Sequence, residues 1–137
     1  MLDYEFMRRG PALLLALASL WCDAGQKRKP PKPPEVRVIE VIARRTEGLI
    51  TIDGRVGNCG AKPIRRLTLL FHLRAPGGQV VTTQRGLTAE EVLAPGEESE
   101  FHWQMRDHAR AVELMVGAVD ASDNDLVVDR PGPYPVE

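Results

Sequence analysis

Alternation of apolar and polar side chains with a period of two is the feature that most constrains this chain. Between Leu67 and Arg74, leucine or phenylalanine stands at every second position, and Thr68 and His72 lie between them. Side chains of a β-strand point alternately to opposite faces, so this pattern predicts a strand with one buried face. Leu70 makes the other face partly apolar as well. No segment shows the helical apolar period of about 3.6 residues over the length of a helix.

The same alternation, or a short β-branched run, recurs along the chain from Val36 onward. The predicted strands begin near Val36, Ile50, Leu67, Val80, Phe101, Val112 and Leu126. Turn residues such as Pro76-Gly77-Gly78 and Pro95-Gly96 separate them. The sequence therefore predicts an all-β fold, an immunoglobulin- or fibronectin-III-like two-sheet sandwich of about seven antiparallel strands. A barrel of about five or six strands is the alternative, because periodicity does not separate closed from open sheets.

Two local patterns lie outside this alternation. Thr88-Ala-Glu-Glu91 predicts a short helical turn capped by Thr88. The proline-rich tail from Arg130 to Pro135 is excluded from the centre of a sheet, since proline donates no hydrogen bond to a neighbouring strand.

The N-terminus has the layout of a secretory signal peptide over residues 1–24. The basic pair Arg8-Arg9 precedes a mostly apolar run that ends at Trp21. The run is too short to span a bilayer comfortably, which takes about 20 residues. Met7 is an alternative start, because the residues before it add two acidic groups that a signal peptide does not favour. These features predict export to a bacterial periplasm or cell envelope.

Two processing routes remain open for this segment. Cys22 and Ala24 place small residues where a general signal peptidase reads them. Alternatively, Cys22 becomes a lipid-modified N-terminus, although Trp21 stands where a lipoprotein signal normally has a small residue. Lipidation would give the mature protein its one predicted contact with a membrane.

Residues 25–35 form a predicted linker between the signal peptide and a domain at 36–137. From Gln26 to Glu35 there are four prolines and four basic residues. Paired prolines favour an extended polyproline II spacer. A basic patch for anionic lipid and a ligand for an SH3-type domain are the alternatives.

Composition narrows the possible partners. The chain has 137 residues, enough for one domain, with 18 Lys+Arg against 19 Asp+Glu. A net charge of −1 provides no long-range attraction to nucleic acid, so none is predicted as a partner. A hydrophobic content of 43% excludes general disorder.

Several segments resemble, in order, the FxLYD-type immunoglobulin-like domains of bacterial and archaeal envelope proteins. The matching segments are Ile52–Asn58, Ile64, Leu67–Leu73, Gly77-Gly78 with Val80-Val81, and Leu93–Glu97 before Phe101. Phe71 and Leu73 fit the motif that names the family, whereas Arg74 and Ala75 stand where the family has Tyr and Asp. The resemblance implies a β-sandwich on an exported protein and brings no catalytic residues.

Two histidines are weak candidates for metal ligands. His72 and His102 alternate with apolar residues, so both should point away from the core. They could approach each other if their strands were neighbours. No third ligand is evident and the spacing matches no recognised metal motif, so the sequence favours solvent-facing histidines.

An acidic turn offers oxygen atoms of the kind that calcium prefers. The weak candidates are Asp120, Asp123 and Asp125, with Asp129 beyond them. The spacing is not that of an EF-hand loop. Asp and Asn also occur in hairpins because they tolerate turn geometry, and the sequence favours this interpretation.

Cys59 is the one cysteine of the predicted domain and lies in a Gly/Asn-rich turn. An exposed thiol in an oxidising compartment could pair between chains or react, and a buried thiol would be inert. No partner base for a catalytic cysteine can be assigned, and the sequence shows neither a serine nucleophile elbow nor a phosphate loop. The sequence predicts neither a catalytic residue nor a cofactor.

These observations predict an exported immunoglobulin-like domain that is a protein-interaction or structural module of the cell envelope. Its expected partner is another envelope protein. The alternative is a small periplasmic metal-binding or redox-linked protein that uses His72, His102 or Cys59.

Overall fold

The computed structural model describes residues 32–137, and this range is all-β, without a helix. It accordingly contains no helix with the length and apolar character to cross a membrane. The predicted signal peptide at 1–24, the possible lipidation of Cys22 and most of the 25–35 linker lie outside the described residues.

Ten strands form in this range, four of them only two residues long. They are β1 (Val36–Thr46), β2 (Leu49–Asn58), β3 (Ile64–Arg65), β4 (Thr68–Arg74), β5 (Val80–Leu87), β6 (Val92–Leu93), β7 (Glu98–Arg106), β8 (Glu113–Val119), β9 (Val128–Asp129) and β10 (Tyr134–Pro135).

The strands form two four-stranded sheets and one small two-stranded sheet. The first sheet has the order β7-β2-β1-β9, the second has the order β10-β8-β4-β5, and β3 pairs with β6. All pairs are antiparallel except β1 with β9, which is parallel. The prediction of about seven strands, all antiparallel, was therefore wrong in the number of strands and in this pair. The predicted strand near Leu126 overlaps β9 at Val128, whereas β3, β6 and β10 were missed because two-residue pairings leave no alternation in a sequence.

The core lies between the two four-stranded sheets, where the alternating residues meet. The fully buried side chains at its centre are Ile50, Ile52 and Val56 of β2, Leu69, Phe71 and Leu73 of β4, and Leu114 of β8. The rings of Phe71 and Phe101 join the sheets, with centroids 5.7 Å apart. The predicted strand through Leu67 to Arg74 is confirmed as β4, which lies inside the second sheet.

A bulge explains why the first strand shows no clear alternation in the sequence. The register between β1 and β2 shifts between Val38 and Glu40. Val38 and Ala43 are both buried, although an uninterrupted strand would place them on opposite faces. The extra residue lets one strand present apolar side chains to the core on both sides of the bulge.

The predicted helical turn at Thr88–Glu91 was wrong. Strand β5 runs on to Leu87, and no helix follows it. The backbone amides of Ala89 and Glu90 donate hydrogen bonds to the hydroxyl oxygen of Ser99, at 3.1 and 3.3 Å. The Thr88 hydroxyl is buried and has no hydrogen-bond partner among the described residues, so it caps nothing. Contact with β7 replaces the local hydrogen bonds that a helix would require.

Candidate functional site

The C-terminal segment closes one side of the two sheets. It pairs with β1 through β9, crosses to β8 through β10, and returns to β1 where Val136 bridges Ala43. Glu137 then donates a backbone hydrogen bond to Ala43 at 2.9 Å and accepts one from Arg45 at 2.8 Å. The edges that β1 and β8 would otherwise expose are therefore covered over much of their length.

The opposite side is bounded by two edge strands, β5 of the second sheet and β7 of the first. Each pairs on one side only among residues 32–137. They face each other across the core near Gly86. A Cβ atom on Gly86 would lie 2.9 Å from Cε2 of Phe71 and 3.4 Å from Cε3 of Trp103. We call this the open side, defined by strands β5 and β7.

The β7 edge is shielded. The backbone amide of Ala89 donates a hydrogen bond to the carbonyl of Glu100 at 3.2 Å, on the edge that faces away from β2. Because backbone groups alternate in direction along a strand, those of His102, Gln104 and Arg106 also face outward. Three of these four positions carry ionisable side chains, which discourage pairing with another strand.

The β5 edge is organised differently. The backbone amide of Thr88 donates a hydrogen bond to the Leu67 carbonyl at 3.4 Å, in line with the register that pairs Leu87 with Thr68. By alternation, the backbone N–H and C=O groups of Thr83, Arg85 and Leu87 point away from β4. These are the groups that an added strand would use.

The side chains of β5 give this edge little protection. Val80 is 50% exposed and Leu87 is 60% exposed, the two largest values among the exposed large hydrophobic residues of the described chain. Arg85 is the single charged residue of the strand, and its guanidinium bonds the carboxylate of Asp123 at 2.9 Å. The strand contains no proline. Unprotected edges of this kind tend to pair with other strands.

The two candidate histidines are far apart in the topology. His72 lies on β4 of the second sheet, where its Nδ1 is 3.1 Å from the hydroxyl of Thr83. His102 lies on β7 of the first sheet, and its Nδ1 contacts the carboxylate of Asp53. Their strands are not neighbours, so the structure does not bring the pair together. No group of three or more His, Cys, Asp or Glu side chains among residues 32–137 is placed to hold a metal ion.

The acidic segment after β8 forms a hairpin turn. Oδ1 of Asp120 accepts hydrogen bonds from the backbone amides of Ser122 and Asn124 at 2.9 and 3.0 Å. These bonds, chiefly the one from Asn124, hold the pKa of Asp120 below its ordinary value. Asp123 adopts a φ of 62°, and Asp125 bridges Val119. The Asp120 side chain thus serves the turn geometry, whereas the Asp123 carboxylate bonds Arg85 of β5.

Cys59 is exposed and lies in a cleft at one end of the domain. The cleft has a volume of about 1110 Å³ and is lined by three segments, at 32–35, 58–65 and 120–126. The backbone amide of Cys59 donates to the Glu35 carbonyl at 3.1 Å. The neighbouring Arg37 has a raised pKa because its guanidinium bonds the carboxylate of Asp129.

Asn58 is a structural residue that the sequence did not single out. It is 2% exposed, and its amide nitrogen donates to the carbonyls of Lys62 and Leu93 at 2.8 and 2.9 Å. Its Oδ1 accepts a hydrogen bond from the backbone of Gly60 at 2.9 Å. The side chain therefore holds the turn beside Cys59 against β6. The one sequence signal for this structural role is the position of Asn58 directly before a Gly-rich turn.

Comparison with known proteins assigns no family. No family model matches the chain, and no curated protein matches its sequence. IrmA from Escherichia coli is similar at 14% identity, over 69% of this chain and 86% of that one, with a TM-score of 0.48. A calcium-binding mutant of Bacteroides uniformis β-glucuronidase 2 is similar at 14% identity, over 69% of this chain but 14% of that one, with a TM-score of 0.49. Likenesses at this level support no statement about function, and the FxLYD resemblance stays a prediction.

Proposed function

We propose that this protein is an exported immunoglobulin-like sandwich domain that works as a protein-interaction or structural module of the cell envelope. The observation that carries the proposal is the difference between the two sides of the sheets. The C-terminal segment covers one side, and β5 and β7 leave the other side without a strand from residues 32–137. Edge strands accept extended segments of partner proteins through backbone hydrogen bonds.

The sequence supports the location in the envelope. A basic pair and an apolar run precede a spacer rich in proline and lysine, which suits an exported domain held away from the surface that anchors it. Whether Cys22 carries lipid or is removed decides between an anchored and a soluble form. The mass of the N-terminal peptide of the native protein distinguishes the two.

We favour binding over catalysis because of the setting of the contact between His102 and Asp53. His102 and Asp53 contact each other on the outward face of the first sheet, with 61% and 53% of their side chains exposed. A general base of this kind acts on a nucleophile within hydrogen-bond reach. Within residues 32–137, no serine, threonine or cysteine side chain forms a hydrogen bond with His102.

A redox-linked role has one observation in its favour, the exposure of Cys59 beside the end cleft. It predicts a mixed disulfide on Cys59 in protein isolated without reductant. Intact mass measured before and after reduction would detect it, with a Cys59→Ser variant as the control. An unchanged mass would remove this alternative.

Site-specific photo-crosslinking in the producing cell tests the proposed module. A photoreactive residue at Thr83, on the open side, should form an adduct with an envelope protein. The same residue at Pro135, which is exposed on the covered side, is the matched control and should form none. Equal adducts from both positions, or none from either, would contradict the proposal.

A further inference from the structure

We propose that β5 pairs with β5 of a second copy of this chain, antiparallel and across a twofold axis. The two second sheets, each of four strands, would then form one continuous sheet. This inference goes beyond the proposed function, whose expected partner is a different envelope protein.

The direction of the backbone groups defines which residues could pair. Thr83, Arg85 and Leu87 point their N–H and C=O groups away from β4, while Thr82, Gln84 and Gly86 face β4. For hydrogen bonds to form between two β5 strands, the outward-facing residues of one copy must therefore lie opposite the outward-facing residues of the other. In an isologous dimer the same patch is used on both copies, so the requirement is met automatically.

Charge selects among the possible registers. A register that sets Arg85 opposite Arg85 of the second copy places like charges face to face, which is unfavourable. A register centred on Gln84 instead sets Arg85 opposite a neutral Thr83. Each Gln84 then faces its own counterpart, and an amide can both donate to and accept from another amide. Thr82 of one copy then faces Gly86 of the other, and glycine has no side chain that could obstruct this pairing.

Apolar side chains at the two ends of β5 favour the same arrangement. In the register centred on Gln84, Leu87 of each copy lies beside the Val80–Val81 end of the other. Leu87 and Val80 are 60% and 50% exposed in the single chain. An interface that covers both would remove the most exposed large hydrophobic side chains of the described residues from water. The β7 edge has no such match, because its outward positions are mostly ionisable and the 88–91 segment bonds Glu100.

Light scattering of the full-length chain after size exclusion tests the proposal. We expect a dimer for the wild type and a monomer for Thr83→Pro, since proline removes an N–H that β4 does not use. Gln104→Pro is the matched control on the β7 edge and should remain a dimer. A monomeric wild type would overturn the proposal. A Thr83→Pro variant that remains a dimer and keeps a native-like thermal unfolding transition would also overturn the proposal.

Disulfide trapping tests the register without depending on how the proline variant folds. In a Cys22→Ser, Cys59→Ser background, Gln84→Cys should form a disulfide dimer on oxidation. Cα atoms of facing residues in a non-hydrogen-bonded pair lie about 4.5 Å apart, within the range of a disulfide. Arg85→Cys is the control, because diagonal positions are about 7–8 Å apart. Equal trapping of both variants, or of neither, would contradict this register.

The two proposals can fail separately. If the chain is monomeric in solution while Thr83 crosslinks to a different protein in cells, the β5 edge belongs to that protein and self-pairing is wrong. If the chain is dimeric and Thr83 crosslinks only to a second copy, self-pairing holds and the envelope partner is not bound at this edge.

Discussion

Single buried groups hold the ends of this domain in place. The clearest is Asn58, whose three hydrogen bonds to Lys62, Leu93 and Gly60 connect the turn after β2 with the small β3–β6 sheet. An alanine at this position would leave two carbonyls and one amide without their partner. Buried polar groups without partners cost more than the net value of the hydrogen bonds that are lost.

Asn58→Ala should therefore lower the free energy of unfolding by about 2–4 kcal/mol in urea denaturation. Gln104→Ala, at an exposed position of β7, is the control and should change it by less than about 0.5 kcal/mol. A loss at Asn58 no larger than at Gln104 would show that the turn holds without this amide.

Gly86 is required by the close approach of the Phe71 ring, which lies on the neighbouring strand β4. Gly86→Ala places a methyl group against the buried ring of Phe71, and the ring must shift to accommodate it. We expect a loss of about 1–3 kcal/mol in the free energy of unfolding. Thr83→Ala, on the exposed face of the same strand, is the control. An unaffected Gly86→Ala variant would mean that the Phe71 ring lies farther from Gly86 than described.

Asp120 makes the stability of its turn depend on pH. Its pKa is lowered in the folded state by the Asn124 and Ser122 amides, so its stabilising effect is complete above the unfolded-state pKa. The effect is lost as the pH falls through the lower folded-state value. The melting temperature of wild type should exceed that of Asp120→Asn near pH ~7, and the gap should close toward pH ~2. A difference in melting temperature that stays constant with pH would contradict this role of Asp120.

Whole strands were predictable where one face is buried against the core along most of the strand. This holds for β2, β4, β7 and β8, whose apolar residues recur at every second position. The bulge in β1 and the short β10 were not predictable, because they depend on pairing between distant segments. The open side was unpredictable for the same reason, since the order of strands in a sheet is not a local property. For His72 and His102, the alternation predicted side chains that point away from the core. It could not predict whether their strands are neighbours, which they are not.

Removing residues 130–137 tests the covering role of the C-terminal segment. Tyr134 and Val136 pack against the core, so their loss should lower the free energy of unfolding by about 2–4 kcal/mol. The outer edge of β1 should then exchange its amide hydrogens faster, with β2 as the internal control. A truncated chain with wild-type stability and unchanged exchange in β1 would contradict this role.

At the scale of the whole molecule, the two sides of the sheets differ in how their edges are completed. One side carries the C-terminal segment, which alternates between the first and second sheets. The other side carries the shielded edge of β7 and the weakly protected edge of β5. Both the proposed interaction role and the proposed self-pairing of β5 depend on this asymmetry.

Residue-resolved amide hydrogen exchange on dilute full-length protein tests this asymmetry most directly. We predict slow exchange for Leu126, Val136 and Glu137, whose amides donate to Ala118, Val112 and Ala43. Along β5 we predict fast exchange at Thr83, Arg85 and Leu87, alternating with slow exchange at their neighbours. Fast exchange of the C-terminal amides, or uniform protection along β5 at every dilution, would contradict the account.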